Sequence, residues 1–469
     1  MTHSRPRALV WFRRDLRLCD HAALHAALAA GFDPVPVYIH APDEEAPWAP
    51  GAASRWWLHH SLSALDRELA RVGSGLCVRA GETAVEIDRL IEDCEARAIY
   101  WSRLYDPLIV RRDSLLKDRL RARGLLVHSV PGNVFHEPWE VRNGSDDPYR
   151  VFTPYWRNAG GRLNNELPLP APADLPAQPC TGIEIDTLAL LPTLPWDLGF
   201  SDWEPGERGA QRALDSFAQN ALEDYASARD RPDQHGTSRL SPHLHFGEIS
   251  VRQIRQQLVG SAGPGVRVLA EPYLRELGWR DFSHQLLFHF PHSSELPLQP
   301  KFEHFPWAQV EPAKLGAWQR GRTGIPIVDA GMRELWNTGW MHNRVRMIVA
   351  SFLTKNLRYH WLEGARWFWD TLLDADLPNN TQGWQWSAGS GADAAPYFRI
   401  FNPVAQGERF DPTGAYVRRF VPELAHLPAK AIHQPWSVSG VRGYPAPIVD
   451  LKQSRDQALA AYAQMRALS

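Results

Sequence analysis

The residues best suited to chemistry are concentrated between Gly339 and Trp386. Asn343 and Arg346 are three residues apart, so on a helix they share one face. Two acids, Asp374 and Asp376, follow downstream, and six tryptophans lie within the same stretch. Aromatic walls can stack on a large flat ring while amides, a cation and carboxylates hold its polar edges. The stretch therefore indicates a cofactor pocket.

A purely structural interpretation of the same stretch is also open. Val345, Ile348, Val349 and Phe352 follow helical spacing and predict an amphipathic helix with one buried stripe. Tryptophan-rich helices are usually core, and an arginine followed by aspartates is usually an ion pair. The chain contains 20 tryptophans, and composition alone does not decide whether they pack, stack on bases or conduct electrons.

The elements that must position these residues fall into two groups. Strand candidates alternate with helical patterns at the start of the chain, which predicts an α/β fold with a five-stranded parallel, doubly wound sheet. Gly73 and Gly75 precede a strand and lack a third glycine, so a dinucleotide-binding turn is not indicated. The predicted strands are 8–12, 35–39, 76–79, 98–101 and 125–130, with helices at about 54–72, 83–96 and 106–123.

Three regions are expected. The α/β domain covers 1–130, and a proline-rich connection without repeats covers 131–205. From 206–469 nearly every segment has a helical pattern, which predicts an all-α domain.

Composition limits the function classes. The net charge is −2, so any contact with nucleic acid must come from a local patch. Cys19, Cys77, Cys94 and Cys180 lack CxxC spacing and are expected to be reduced cytosolic thiols, with no metal site. No apolar run reaches the length of a membrane span, and the first residues lack a secretory signal, so we expect a cytoplasmic protein without membrane contact.

Several sequence motifs resemble those of a known family. WMHNRVRM (340–347), DTLLDADL (370–377) and NNTQGWQW (379–386) recur as a set in the DNA photolyase and cryptochrome family, which the sequence closely resembles. WFRRDLRLCDHAAL (11–24) is similar to the family's N-terminal signature, and GTSRLSP (236–242) is similar to its flavin-phosphate segment. The motifs occur in the family's order over essentially the whole chain.

The resemblance implies that the helical domain binds FAD, active in its reduced form. Asn380 is expected to face the flavin nitrogen N5, where plant cryptochromes carry aspartate and animal ones commonly cysteine. An amide at this position favours a repair enzyme. The implied cofactor contacts are Tyr225, Thr237, Ser238, Arg239, Leu240, Ser241, Arg280, Asn343, Arg346, Asp374, Asp376 and Asn380.

The resemblance also implies a substrate, DNA containing pyrimidine dimers. Members that act on (6-4) photoproducts carry histidines at the positions of Asn343 and Met347, so this chain is expected to act on cyclobutane dimers. The implied substrate contacts are Arg229, Glu276, Trp279, Asn343, Arg344, Met347 and Trp386. The tryptophans implied to conduct electrons to the flavin are Trp384, Trp361 and Trp307.

The expected function is blue-light-driven splitting of cyclobutane pyrimidine dimers, a carbon–carbon lyase reaction. The alternative is a cryptochrome-like photoreceptor without repair activity, against which Asn380 and the absence of a long tail after Tyr462 argue. A third interpretation, a generic flavoprotein oxidoreductase, is opposed by the missing nicotinamide site. The protein is expected to be a monomer without an obligatory protein partner, in the bacterial cytosol and used at the nucleoid.

The first domain is implied to seat a light-harvesting antenna chromophore. Residues 46–65 resemble the bacterial photolyases close to plant cryptochromes, several of which use methenyltetrahydrofolate, and this chromophore is favoured. The Asn-Glu pair by which enteric relatives hold folate is replaced here by the segment Tyr105–Ile109.

Overall fold

The computed structural model describes residues 5–163, 166–260, 264–394, 398–439 and 441–468. Its first domain contains a parallel five-stranded sheet in the order β3-β2-β1-β4-β5, so the strand order reverses between β1 and β4. The strands are short, and those at 7–12 and 98–102 are largely apolar and buried, which suits a sheet covered on both faces. The strands are β1 (Arg7–Phe12), β2 (Asp33–His40), β3 (Cys77–Ala80), β4 (Ala98–Ser102) and β5 (Leu126–Val130).

Helices cover both faces of this sheet. Successive β1 side chains alternate, so Val10 packs in the cluster that contains Leu62 of the second helix, whereas Leu9 packs with Leu90 of the third. This arrangement confirms the predicted doubly wound α/β domain. The helices are α1 (Ala22–Ala29), α2 (Ala52–Arg71), α3 (Thr83–Asp93) and α4 (Pro107–Ala122).

The connection after β5 is more ordered than its prolines suggested, because it contains α5 (Phe152–Gly160). Farther along it returns beside β3, where the N–H of Ile183 donates to the carbonyl oxygen of Val78. This return brings Cys180 against Cys94, and the two form a disulfide. The expectation of four reduced thiols is therefore wrong for this pair, since only the folded path of the connection brings them together.

The second domain is helical among its described residues, as predicted. Its central apolar cluster is formed by α12 to α15 and α17. The helices are α6 (Glu207–Asn220), α7 (Tyr225–Ala228), α8 (Ser241–His245), α9 (Val251–Val259), α10 (Pro264–His289), α11 (Pro312–Gln319), α12 (Pro326–Thr338), α13 (Asn343–Ser351), α14 (Trp361–Thr371), α15 (Leu377–Ala388), α16 (Pro403–Phe410), α17 (Ala415–Phe420), α18 (Ala429–Ile432) and α19 (Leu451–Leu468).

Helix α13 differs from the uniform helix that its apolar spacing predicts. After Ser351 the chain continues as a π-helical turn over Phe352–Asn356. The wider turn shifts the following side chains around the helix axis, which apolar periodicity alone does not reveal. Over the part of the chain that the structure covers, none of the helices combines the length and apolarity needed to traverse a bilayer.

Candidate functional site

The polar edge of the predicted flavin site is built by α13 and the start of α15. Arg346 donates through Nη2 to Oδ2 of Asp374 at 2.8 Å and through Nε to the carbonyl oxygen of Met341 at 2.7 Å. The other oxygen of Asp374, Oδ1, is buried without a hydrogen-bond partner in the described chain. A buried carboxylate oxygen without a donor favours a ligand that supplies one.

Asp376 caps the N-terminus of α15, where its Oδ2 accepts from the backbone N–H of Asn379 at 3.3 Å. Two buried histidines flank it, with His245 Nδ1 at 3.4 Å and His284 Nε2 at 3.8 Å. Burial lowers the pKa of His284 to about 4, so its imidazole is neutral at pH 7. Asp376 thus lies between the sheet domain and the helices. It lies beside His284, a residue that no sequence motif indicated.

Asn380 is half-buried on α15, one turn after Asp376. Its Nδ2 donates to the carbonyl oxygen of Ala365 on α14 at 3.0 Å. This bond orients the amide and leaves the side-chain oxygen as the acceptor for a ligand. Asn343, at the start of α13, is exposed and makes no side-chain hydrogen bond within the described chain.

The predicted phosphate segment forms a tight turn before α8. Ser238 Oγ bonds the Tyr273 hydroxyl at 2.8 Å, and Ser241 Oγ accepts from Trp340 Nε1 at 3.3 Å. Thr237 is half-buried and its hydroxyl has no such internal partner. Leu240 is 1% exposed and packs in the core, so only its backbone can serve a ligand.

Arg239 adopts a positive φ of 53° in this turn. Its guanidinium lies 4.2 Å from the ring centroid of Trp203 and 5.1 Å from that of Trp340. Burial lowers the pKa of Arg239, and its Nε has no partner. The Arg239 side chain therefore packs between two indole rings and stabilises the turn.

Two further predicted cofactor contacts, Tyr225 and Arg280, interact with other residues of the chain. Tyr225 is 6% exposed and packs edge-on against Tyr273 at 5.3 Å between ring centroids. Arg280 donates to the main-chain carbonyl oxygens of Asn133 and Leu244, at 2.5 and 3.5 Å. Arg280 thereby ties α10 to the connection and to α8, and it stays a predicted flavin contact.

The predicted substrate residues of α10 have partners already. Glu276 accepts from Arg229 at 2.6 Å, and both side chains are 27% exposed. Trp279 stacks on Phe152 of α5, with ring centroids 3.7 Å apart and an interplanar angle of 11°. Phe152 thus covers one face of the Trp279 indole. No local sequence pattern indicates this contact, because the connection that carries Phe152 has no chemical motif of its own.

The remaining substrate residues lie on α13 and α15. Met347 and Trp386 line the same open pocket between these helices. Arg344 does not project as a free cation, because it binds Asp230 at 2.8 Å and lies over the ring of Phe410. Both predicted phosphate contacts, Arg229 and Arg344, are thus ion-paired within the chain.

Of the three predicted electron-conducting tryptophans, Trp361 lies on α14, and Trp384 and Trp307 lie beside its N-terminal end. Trp384 packs directly on Gly364, one turn after Trp361, and a Cβ at Gly364 would overlap its ring. His360 contacts both Trp361, at 5.7 Å, and the half-buried Trp307, at 5.1 Å between ring centroids. The histidine that bridges the outer pair carried no signal in the sequence, since His360 otherwise acts as the N-cap of α14.

These observations fit a flavin dinucleotide. The unpartnered Asp374 Oδ1, the oriented amide of Asn380 and the free side chain of Asn343 are polar groups for the edges of a ring system. In the turn at Thr237 and Ser238, the Thr237 hydroxyl has no internal partner, whereas Ser238 Oγ is bonded to Tyr273, so the Thr237 hydroxyl and backbone N–H groups are the donors that suit a phosphate.

Comparisons with known proteins agree with this fit. Residues 8–173 match the family model described as DNA photolyase, and residues 273–464 match the FAD binding domain of DNA photolyase. The chain is 46% identical to a deoxyribodipyrimidine photo-lyase of Agrobacterium fabrum, covering 98% of both chains. It is 38% identical to cryptochrome-1 of Arabidopsis thaliana, covering 98% of this chain and 70% of that one.

A solved structure shows the same architecture. The crystal structure of a bacterial class III photolyase from Agrobacterium tumefaciens superposes with a TM-score of 0.94 at 44% sequence identity, covering 100% of this chain and 99% of that one. The chain therefore belongs to the DNA photolyase and cryptochrome family.

Proposed function

We propose that this chain is a deoxyribodipyrimidine photo-lyase that uses blue light and reduced FAD to split cyclobutane pyrimidine dimers in DNA. One observation carries the proposal: α13 places Asn343 and Met347 one turn apart, and Met347 shares a pocket with Trp386. A dimer that lies against Met347 and Trp386 meets a thioether and an indole, with the amide of Asn343 one turn away. Splitting a cyclobutane dimer requires no proton donor there, which suits these side chains.

The proposed cofactor residues hold a negatively charged ring system. FAD, when bound in its reduced form, supplies the electron that light releases and receives it back after the dimer has split. Arg346 places a cation beside the site, and Asp374 fixes that cation at 2.8 Å. Asn380 offers its amide oxygen without adding charge, because its Nδ2 is held by Ala365.

The proposed substrate residues replace the stacking that a dimer loses when it leaves the duplex. Trp279 and Trp386 offer ring faces, and base stacking on an aromatic side chain contributes about 1 to 3 kcal/mol per base. Glu276 can accept from a base edge once Arg229 turns to a phosphate. Flipping costs a few kcal/mol and least for a damaged base, which favours dimers over intact pairs.

Arg229 and Arg344 are proposed to contact backbone phosphates at the pocket rim. Each would exchange a carboxylate, Glu276 or Asp230, for a phosphate, so little net charge is buried on binding. The exchange lowers the affinity that phosphate contacts alone give to any DNA, because the free protein already satisfies both guanidinium groups, so the dimer pocket has to supply the selectivity.

Trp384, Trp361 and Trp307 are proposed to carry electrons from the surface to the flavin. Their support is the packing of Trp384 on Gly364 and the bridging ring of His360. The half-buried Trp307 is the outer end of this path.

We also propose a second chromophore, with methenyltetrahydrofolate favoured. A crevice at the carboxyl ends of β1 and β4 is lined by residues of both domains, including Arg14, Asp106 and His284. Asp106 Oδ1 and both ring nitrogens of His284 are buried without partners there. Mass spectrometry of chromophores released from the purified protein tests the assignment, and release of FAD alone would contradict it.

The predicted division into 1–130, 131–205 and 206–469 is retained as part of the proposal. So are a monomeric state, the absence of an obligatory protein partner and a place in the bacterial cytosol, in use at the nucleoid. Equilibrium sedimentation of the FAD-bound protein tests the first of these, and a dimer at micromolar concentration would contradict it.

The variant Glu276→Ala tests the substrate role. It should weaken repair of a thymine dimer far more than it weakens FAD binding, because Glu276 lies on the substrate side of the proposed site. Glu271→Ala is the matched control, since Glu271 is exposed on the same helix. Loss of the flavin from Glu276→Ala, with repair per bound flavin unchanged, would remove Glu276 from the substrate role.

A further inference from the structure

One open pocket is lined by Met347 and Trp386, which are proposed dimer contacts, and also by Lys355, and we call it the lysine pocket. From Met347, the residues Ser351 and Lys355 continue the lining along the same helix. Asn343, Met347 and Ser351 follow at four-residue intervals, which places them on one face of α13. The π-helical turn at Phe352–Asn356 then carries Lys355 to the far end of this face.

The lining of the lysine pocket is aromatic and cationic. Phe302, Phe398, Trp386 and Tyr462 contribute rings, and Phe398 stacks on Tyr462 with centroids 4.6 Å apart. The charged lining residues are Lys301, Lys355 and Arg399, and among the described lining residues none is an aspartate or glutamate. In a chain with a net charge of −2, this local excess of positive charge favours an anionic ligand with a flat ring.

Lys355 is the unusual group of this pocket. It is 1% exposed, donates to the carbonyl oxygen of Ala388 and lies 3.4 Å from the ring centroid of Phe398. It forms no ion pair with a carboxylate of the described chain, and burial alone lowers its pKa. An ammonium has three donors, so two remain for a ligand, and an anion would favour the charged form.

We propose that the lysine pocket binds the nucleotide next to the dimer in the damaged strand, with its phosphate on Lys355 and its base against the aromatic rings. The inference rests on the proposed function, because it places the dimer itself between Met347 and Trp386. A nucleotide supplies both an anion and a flat ring, and a pocket that begins at the proposed dimer contacts Met347 and Trp386 suits the next residue of the same strand.

Binding in the dark to the FAD-loaded, reduced protein tests this proposal. The ligands are a thymine-dimer dinucleotide and two longer forms with one added nucleotide on the 5′ or the 3′ side. Each longer form is also made with a neutral methylphosphonate in place of the added phosphate. One of the two added nucleotides should raise the affinity of the wild-type protein about tenfold or more, as expected for a charged hydrogen bond.

That gain should disappear in Lys355→Met, and it should disappear equally with the methylphosphonate. The two losses should not add, because they remove the same contact. Lys452→Met is the matched control: it removes the same charge from an exposed position of α19 and should keep the gain. The wild-type ligand series decides the question even if Lys355→Met does not fold.

Three results would overturn the proposal. The first is a gain that is the same for phosphate and methylphosphonate on both sides, and the second is a gain that Lys355→Met retains. The third is an equal loss in Lys452→Met, which would indicate long-range attraction only. If the wild-type protein repairs the dinucleotide in light but shows any of these results, the lysine pocket assignment fails alone. If it binds no dimer ligand, the proposed function fails with it.

Discussion

Replacing Phe152 by leucine tests whether the connection between the domains takes part in substrate recognition. Phe152 is 0% exposed and stacks on Trp279 at 3.7 Å. Leucine keeps an apolar side chain in the cluster but cannot stack. Trp279 would then stay on α10 without the ring that stacks on it. Its indole would be less ordered in the free protein, so binding of the substrate would have to order it.

The magnitude follows from this geometry. A stacked aromatic pair contributes about 0.5 to 1.5 kcal/mol beyond its buried area, and ordering a free side chain on binding costs about 0.5 to 1.5 kcal/mol. Because part of the stacking loss falls on folding, we expect a loss of about 1 to 2 kcal/mol in dimer binding. This corresponds to a dissociation constant raised about 5- to 30-fold. FAD content should be unchanged, since Phe152 has no contact with the proposed flavin residues.

The assay is binding of a thymine-dimer oligonucleotide in the dark, with the free energy of unfolding measured in parallel. Phe200→Leu is the control, because Phe200 is also buried (2% exposed) but packs on Trp56, in a different cluster. Both variants should lose stability, whereas only Phe152→Leu should lose affinity. Unchanged affinity in Phe152→Leu at a matching loss of stability would refute the recognition role of the stack.

Three further predictions concern the flavin, the electron path and stability. Asn380→Asp should leave FAD bound but reduce the quantum yield of repair, because it places a negative charge beside the anionic reduced ring; an unchanged yield would count against this role. Gly364→Ala should displace Trp384, cost about 1 to 3 kcal/mol of stability and slow flavin photoreduction in flash experiments. Gly383→Ala, where a Cβ meets open space, is its control, and equal rates would contradict the path. Burial raises the pKa of Asp281 to about 7 from 3.8, so the folded state retains a proton that the unfolded state loses, and stability should fall as pH rises through this window. In Asp281→Asn, the free energy of unfolding measured with urea should fall less across this pH range than in the wild-type protein, by on the order of 1 to 3 kcal/mol. Equal pH dependence of the unfolding free energy in the two proteins would contradict this role of Asp281.

The sheet domain and the helical domain could be predicted because their signals are local. Short apolar runs such as the one at Leu9 and Val10 indicate strands buried on both faces, and the structure places them there. The motifs near Asn343 and Asp374 likewise indicated the family, because their residue types are unusual in combination. The sequence also indicated that an arginine followed by aspartates usually forms an ion pair, and Arg346 and Asp374 lie 2.8 Å apart.

The features that could not be predicted depend on long-range packing. Cys94 and Cys180 are 86 residues apart, and only the return of the connection along β3 joins them. Phe152 reaches Trp279 because α5 packs on α10, which no local pattern encodes. Lys355 occurs in an apolar helical pattern, and the pattern indicates neither its 1% exposure nor the π-helical turn that contains it.

The most direct test of the proposed function is repair of a thymine-dimer oligonucleotide by the purified, reduced, FAD-bound protein, under blue light and in the dark. We predict light-dependent restoration of intact thymines and none in the dark. A matched oligonucleotide with a (6-4) photoproduct should remain unrepaired, because Asn343 and Met347 offer no proton donor. FAD that is bound and reducible without any repair in light would contradict the photo-lyase proposal and favour a cryptochrome-like photoreceptor.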